Sequence, residues 1–198
     1  MKQMDYKKVA NITTFGRLYL QARIWLYSLL STGAVSGAPY IIHPCIFTGL
    51  GKVACGQNVK LGVWPSPHYW SGNSHFDTRS ETALIEIGNN VTINNNFTAI
   101  CLERIVIGDD TLIGINVSIM DFDAHGVQPH ARRGNKGKFG QVSIGRNCWI
   151  GSNASILKGV SIGDNSVIGL GSVVVNNIPA NVVAAGNPCK VVRKINID

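Results

Sequence analysis

Ile144, Ile150, Ile156, Ile162, Ile168 and Val174 stand six residues apart without a slip. An α-helix repeats about every 3.6 residues and a strand every two, so neither alone produces this period. Short strands that meet at corners do, provided each corner points one branched side chain inward. The same spacing joins Ile87 to Ile93, and Ile107 to Ile113 and Ile119. Gly follows Ile87, Ile107, Ile113, Ile144, Ile150, Ile162 and Ile168. Gly, Asn and Asp tolerate the left-handed backbone that a tight corner requires. Successive turns would then stack strand over strand, about 4.8 Å apart. Such a solenoid is quasi-one-dimensional and its ends need caps. The expected fold class is therefore all-β, a parallel β-helix of hexapeptide repeats.

Two stretches break the rhythm. "VWPSPHYWSGNSHFDTRSE", about residues 63–81, reads as a loop inserted between degenerate early turns. "IMDFDAHGVQPH" opens a second loop, about 121–141, after which the period resumes at Ile144. Before the solenoid, Phe15, Leu18, Ala22, Trp25 and Leu29 follow alternating spacings of three and four, the pattern of an amphipathic helix. Gly33 is a plausible stop. The expected organisation is a helical segment over 1–33, the β-helix over 34–193 and a short tail over 194–198. Gln21 and Arg23 interrupt the apolar run, which argues against a membrane span. The apolar stripe instead covers the open end of the solenoid or, alternatively, rests on an anionic membrane with Lys7, Lys8, Arg17 and Arg23 at its border.

Composition narrows the function classes. Apolar residues make up 45% of the 198 residues and charged ones 15%, which excludes a disordered chain. The formal charge of +7 suits an anionic partner such as a phosphate-bearing cosubstrate. The densest cationic run, "HARRGNKGK", lacks the interleaved aromatics of a nucleic-acid surface, so no nucleic-acid partner is expected. Five cysteines with no CxxC pair argue against a disulfide framework or structural zinc, and for a reducing, cytoplasmic compartment.

At "CWIGSNASILKGVSIGDNSVIGLGSVV" (148–174) and "IPANVVAAGNPCKVVRKI" (178–195) the chain resembles the hexapeptide-repeat acyltransferases. It is similar to the galactoside and maltose O-acetyltransferases, and most similar among them to enzymes that acetylate bacterial surface polysaccharides. The resemblance implies a left-handed β-helix, a homotrimer, acetyl-CoA as acetyl donor bound in grooves between subunits, a saccharide acceptor and no metal. It also implies roles for particular residues. His125 lies 19 residues before Ile144, the family's spacing for a catalytic base on an external loop. Asp121 and Asp123 complete a DxDxH pattern and are candidates to orient its ring, a task that a backbone carbonyl can also perform. Asn94 matches an acceptor-binding Asn, with Asn96 beside it. Trp149, Ser152, Leu170, Lys190 and Arg193 fall where the family borders its CoA groove. Asn176 stands where relatives carry Lys, so a phosphate contact is in question there, with Arg132, Lys136 and Lys138 as possible substitutes.

The chemistry suits these residue types. A sugar hydroxyl is a poor nucleophile at neutral pH. An imidazole with a pKa of about 6.5 can take its proton and later return one to the leaving thiolate. Trp64, His68, Tyr69, Trp70 and His75 make the first inserted loop aromatic, and Trp70 and His68 are candidates for an acceptor-side lip. A competing reading pairs His125 with His130, five residues on, as zinc ligands of a carbonic-anhydrase type of site, but a catalytic zinc usually needs a third protein ligand. N-acetylation of an amino sugar would use the same transfer chemistry.

Overall fold

A computed structural model describes residues 12–134 and 137–197. Lys7, Lys8 and Lys136 lie outside the described residues. The chain winds into a three-faced parallel β-helix. The first three coils comprise β1 (Ala34–Ser36), β2 (Tyr40–Ile41) and β3 (Cys45–Gly49); β4 (Lys52–Cys55), β5 (Lys60–Leu61) and β6 (Ser74–Thr78); and β7 (Leu84–Ile87), β8 (Thr92–Ile93) and β9 (Thr98–Cys101). The next three comprise β10 (Arg104–Ile107), β11 (Leu112–Ile113) and β12 (Ser118–Met120); β13 (Val142–Ile144), β14 (Trp149–Ile150) and β15 (Ser155–Ile156); and β16 (Ser161–Ile162), β17 (Val167–Ile168) and β18 (Val173–Val174). The first strand of every coil lies on one face, the second on the next and the third on the last. β19 (Val182–Ala185) extends the second face, and β20 (Lys190–Lys194) closes it by pairing antiparallel to β19.

The inward residues form continuous ladders. Ile87, Ile107, Ile144 and Ile162 are in register on the first face, and Ile93, Ile113, Ile150 and Ile168 on the second. All are buried in one core. Lower in the sequence the core uses larger residues. Phe47 stacks on Phe76 at 5.0 Å between ring centroids, and Phe76 meets Phe97 at 5.3 Å. These rings fill coils whose sequence hides the six-residue period.

The corners differ from expectation in one respect. The left-handed backbone falls three residues after the inward aliphatic, at Asn90, Asn96, Asp110, Asn116, Asn147, Asn153 and Asn165, and not at the Gly one residue after it. The amides of those Asn stack from coil to coil: Asn147 donates to Asn165 at 2.9 Å and Asn165 to Asn181 at 2.8 Å. The Gly is needed for a different reason. A Cβ on Gly108 would strike the backbone of Gly145, and one on Gly151 that of Leu170, because neighbouring coils touch there.

The first insertion is shorter than the sequence suggested. Residues 74–78 are β6, paired on both sides with β3 and β9, so the chain leaves the solenoid only over about 62–73. His75 is therefore a strand residue, bonded to the Thr48 hydroxyl at 2.8 Å. The second loop fills the gap between Met120 and Val142.

The helix α1 (Thr14–Leu29) starts at Thr13, whose hydroxyl accepts from the Gly16 N–H at 3.1 Å. It packs on the first coil and on the insertion, but not through the stripe expected from the sequence. Leu20 is fully buried, with Ile12, Ile42 and Tyr69, and Ile24 packs beside them. Phe15, Leu18, Trp25 and Leu29 face outward. The helix is apolar on two adjacent faces, and spacing alone does not say which one turns inward.

Candidate active site

The loop over 121–141 leaves the solenoid at the corner between the third and first faces, and its base is clamped from both sides. The Asp121 carboxylate is fully buried and accepts the backbone N–H groups of Leu102, Glu103 and Arg104 at 2.7, 2.8 and 2.8 Å. These three residues form the same corner one coil earlier. Phe122 and Phe139 bridge antiparallel across the neck, and the Asp123 N–H donates to the Lys138 carbonyl at 2.8 Å. One coil later, the Gly159 N–H donates to the Gly140 carbonyl at 2.8 Å, and the Lys158 ammonium binds Asp123 at 2.7 Å.

His125 projects from this neck with an exposed side chain. Its Nδ1 lies 2.9 Å from the Arg132 carbonyl. A carbonyl only accepts, so Nδ1 carries the proton and the neutral ring keeps its lone pair on Nε2. The orienting group is thus a backbone carbonyl. Asp121 and Asp123, the carboxylates considered for that task, are engaged with backbone N–H groups and with Lys158. His130 sits in a 3₁₀ turn at Pro129–Ala131. Among the described residues, no group of three or more His, Cys, Asp or Glu is arranged to hold a metal ion.

The remaining candidates gather at another corner, between the second and third faces. Asn94 and Asn96 lie there in the third coil, Ser152 in the fifth, Leu170 in the sixth and the first insertion in the second. The side chain of Asn94 accepts from the Asn95 N–H at 2.8 Å, and Asn96 is packed against Gly72 of the insertion. Trp149 is 57% exposed on the second face beside this corner, in register with exposed Leu112 and with Val167; Leu170 is 75% exposed. The Ser152 hydroxyl accepts from the Ile115 N–H at 3.2 Å, which commits its side chain to the corner. Lys190 and Arg193 are exposed on β20, at the end of the second face.

Two residues that the sequence did not single out hold the insertion. Asn95, wholly buried, accepts from the Val63 N–H at 3.1 Å and donates to the Val63 and Pro67 carbonyls at 3.2 and 2.9 Å. His43, also wholly buried, donates from Nε2 to the His68 and Ser71 carbonyls at 3.0 and 3.1 Å. The signal for Asn95 was its place between two Asn already suspected; "IIHPC" carried none for His43. From α1, the Tyr19 hydroxyl donates to the Trp70 carbonyl at 3.3 Å, and Arg23 to that of Gly72. Trp64, Tyr69 and Trp70 pack together with centroids 4.7 to 5.5 Å apart. Tyr69 is buried, whereas Trp70 and His68 present exposed side chains.

Within one chain, therefore, His125 and the Asn94–Trp149–Leu170 group occupy different corners, separated by the third face. The loop's anchoring partners, residues 102–104 and 158–159, all belong to its own corner.

A three-faced parallel β-helix whose later insertion carries His125 has the fold of the hexapeptide-repeat left-handed β-helix proteins. The family model for the "Hexapeptide repeat of succinyl-transferase" matches residues 104–128 and 141–175, leaving out only residues 129–140 of that loop. The galactoside O-acetyltransferase of Escherichia coli (strain K12) is 46% identical over 112 residues, 57% of this chain and 55% of that protein. The chain thus matches only about half the length of this curated relative. A solved galactoside acetyltransferase in complex with coenzyme A superposes with a TM-score of 0.54 and 40% identity, over 70% of this chain and 64% of that one. A hexapeptide-repeat acetyltransferase of Vibrio cholerae, solved with acetyl coenzyme A, shares the fold over 92% of this chain and 85% of its own, at a TM-score of 0.57 and 23% identity. The resemblance to the hexapeptide-repeat acetyltransferases read from the sequence holds in both sequence and fold.

Two predictions follow from the anchoring geometry. Lys158→Met removes the cation that holds Asp123. Hydrogen exchange of the amides from 122 to 128 should accelerate, while the core ladders keep their protection; unchanged loop protection would show that Lys158 does not clamp it. The second concerns His43, whose pKa lies below the ordinary 6.5 because burial disfavours its charged form. Below pH 6.5 the unfolded chain takes up a proton that the folded protein resists, so stability is full above that pH and falls as pH drops. The denaturation midpoint of wild type should fall with acidification more steeply than that of His43→Gln; parallel pH profiles would remove His43 as the cause.

Proposed function

We propose that the chain is an acetyl-CoA-dependent O-acetyltransferase whose general base is His125 and whose acceptor is a sugar of a bacterial surface polysaccharide or its precursor. The observation that carries the reading is the His125–Arg132 bond, which leaves Nε2 of the ring as a proton acceptor on a clamped, exposed loop. In the transfer, Nε2 takes the proton of a sugar hydroxyl as its oxygen attacks the thioester carbonyl. Collapse of the tetrahedral intermediate breaks the C–S bond, and the imidazolium returns a proton to the thiolate. The oxyanion requires N–H donors, which corner backbone can supply. Direct transfer also agrees with the cysteines: burial raises the thiol pKa of Cys45, Cys101, Cys148 and Cys189, and pushes that of Cys55 up to about 12. None is an activated nucleophile.

The separation of the two corners supports a site completed by a neighbouring subunit in a homotrimer. One chain's loop would bring His125 to the Asn94 and Trp149 corner of the next. There Trp149 would wall the pantetheine channel, Ser152 and Leu170 would offer backbone groups, and Lys190 and Arg193 would pair with phosphates. Asn94, Asn96, His68 and Trp70 would face the acceptor, Trp70 by stacking on a sugar ring. An acetyl-CoA donor supports a cytoplasmic site of reaction.

His125→Ala is expected to lower turnover about 10² to 10⁴-fold with acetyl-CoA affinity little changed. Acetyl transfer to candidate saccharides, followed by thiol release, measures it. A variant that keeps most of its activity would remove His125 as the base.

A further inference from the structure

The end of the solenoid that carries α1 differs from the rest in two independent ways. The first is the outward face of the helix. Phe15, Leu18, Trp25, Leu26 and Leu29 form an unbroken apolar stripe, with Phe15 80% and Trp25 64% exposed. Isolated exposed apolar residues are ordinary, but a contiguous stripe of this size marks an interaction surface. The second is charge. Residues 6–76 hold six Lys and Arg and no Asp or Glu, whereas residues 77–198 hold eleven Lys and Arg and ten Asp and Glu. Among the described residues of that acid-free stretch, Lys52 and Lys60 are exposed on the second coil, whereas Arg17 and Arg23 are half-buried on the flanks of the helix that face the solenoid, Arg23 bonded to the insertion.

We propose that this end docks on an anionic lipid bilayer, with α1 lying in the membrane plane and its outward stripe sunk among the headgroups. An apolar, Trp-bearing helix face on a cationic base is the composition of an interfacial helix. The helix has 16 residues, and no helix among the described residues is long and apolar enough to cross a membrane, so it lies on the surface. Surface cations add attraction to acidic headgroups within a Debye length. The helix is also bonded to the insertion through Tyr19 and Arg23, so docking sets the orientation of Trp70 relative to the bilayer. On the transferase reading, an acceptor carried on a lipid would meet the enzyme at that corner.

Co-sedimentation tests the docking without any assay of acetyl transfer. The full chain should pellet with phosphatidylcholine vesicles containing phosphatidylglycerol, not with phosphatidylcholine alone, and molar salt should release it. Its Trp fluorescence should shift to the blue on binding. Leu18→Ser combined with Trp25→Ser should weaken binding about tenfold or more, with melting temperature and mass by light scattering unchanged, because both side chains are exposed. Absence of wild-type binding to anionic vesicles would overturn the proposal. So would a change in the variant's oligomeric mass, which would make the stripe a contact between copies of the chain.

Discussion

Each coil of this protein depends on the coil beside it. Strand N–H and C=O groups bond to the next turn, and backbones at the corners approach until Gly108 meets Gly145 and Gly151 meets Leu170. Extra chain cannot enter a face without breaking a ladder of parallel pairs; it can leave only where strands end. Both insertions obey this rule, at different corners. One departs between the second and third faces and takes the aromatics with it. The other departs between the third and first faces and takes His125.

The stacking also fixes the loop that carries the proposed base. An excursion over residues 121–141 would ordinarily leave its His125 free to reorient. Here the coil before the loop captures Asp121 with three backbone N–H groups, and the coil after it holds Gly140 and Asp123. The loop's own carbonyl at Arg132 then selects the tautomer. Asp121 and Asp123 therefore serve the ring indirectly, through the neck that carries it. Proximity contributes to catalysis only when such geometry is held.

The solenoid was legible in the sequence because Ile at every sixth position has no other simple explanation. The loop carrying His125 was legible because it interrupts that period. What escaped was information that spacing does not contain. The Gly after each Ile looked like a left-handed corner, yet the left-handed residue is the Asn or Asp two positions further on; the Gly answers to a neighbour in the next coil, Gly145 for Gly108 and Leu170 for Gly151. Residues 74–78 looked like loop because His75 and Asp77 point outward from a strand whose inner positions are Ser74, Phe76 and Thr78. The helix turned its Leu20 side inward because only the partner surface, formed by Ile42 and Tyr69, decides between two apolar faces. Asn95 and His43 bond to carbonyls 25 to 32 residues away, so no local motif announces them.

The central claim is that the two corners meet between subunits, one chain supplying His125 and another supplying Trp149. Mixing variants inactivated at each corner tests it most directly. His125→Ala and Trp149→Glu chains, each inactive alone, are unfolded together, refolded as mixed oligomers and assayed for acetyl transfer. Recovery of a sizeable fraction of wild-type activity is the predicted result, since some interfaces would pair an intact loop with an intact groove. Mixed oligomers of demonstrated composition that stay inactive would contradict the account and place both groups of residues in one chain's site.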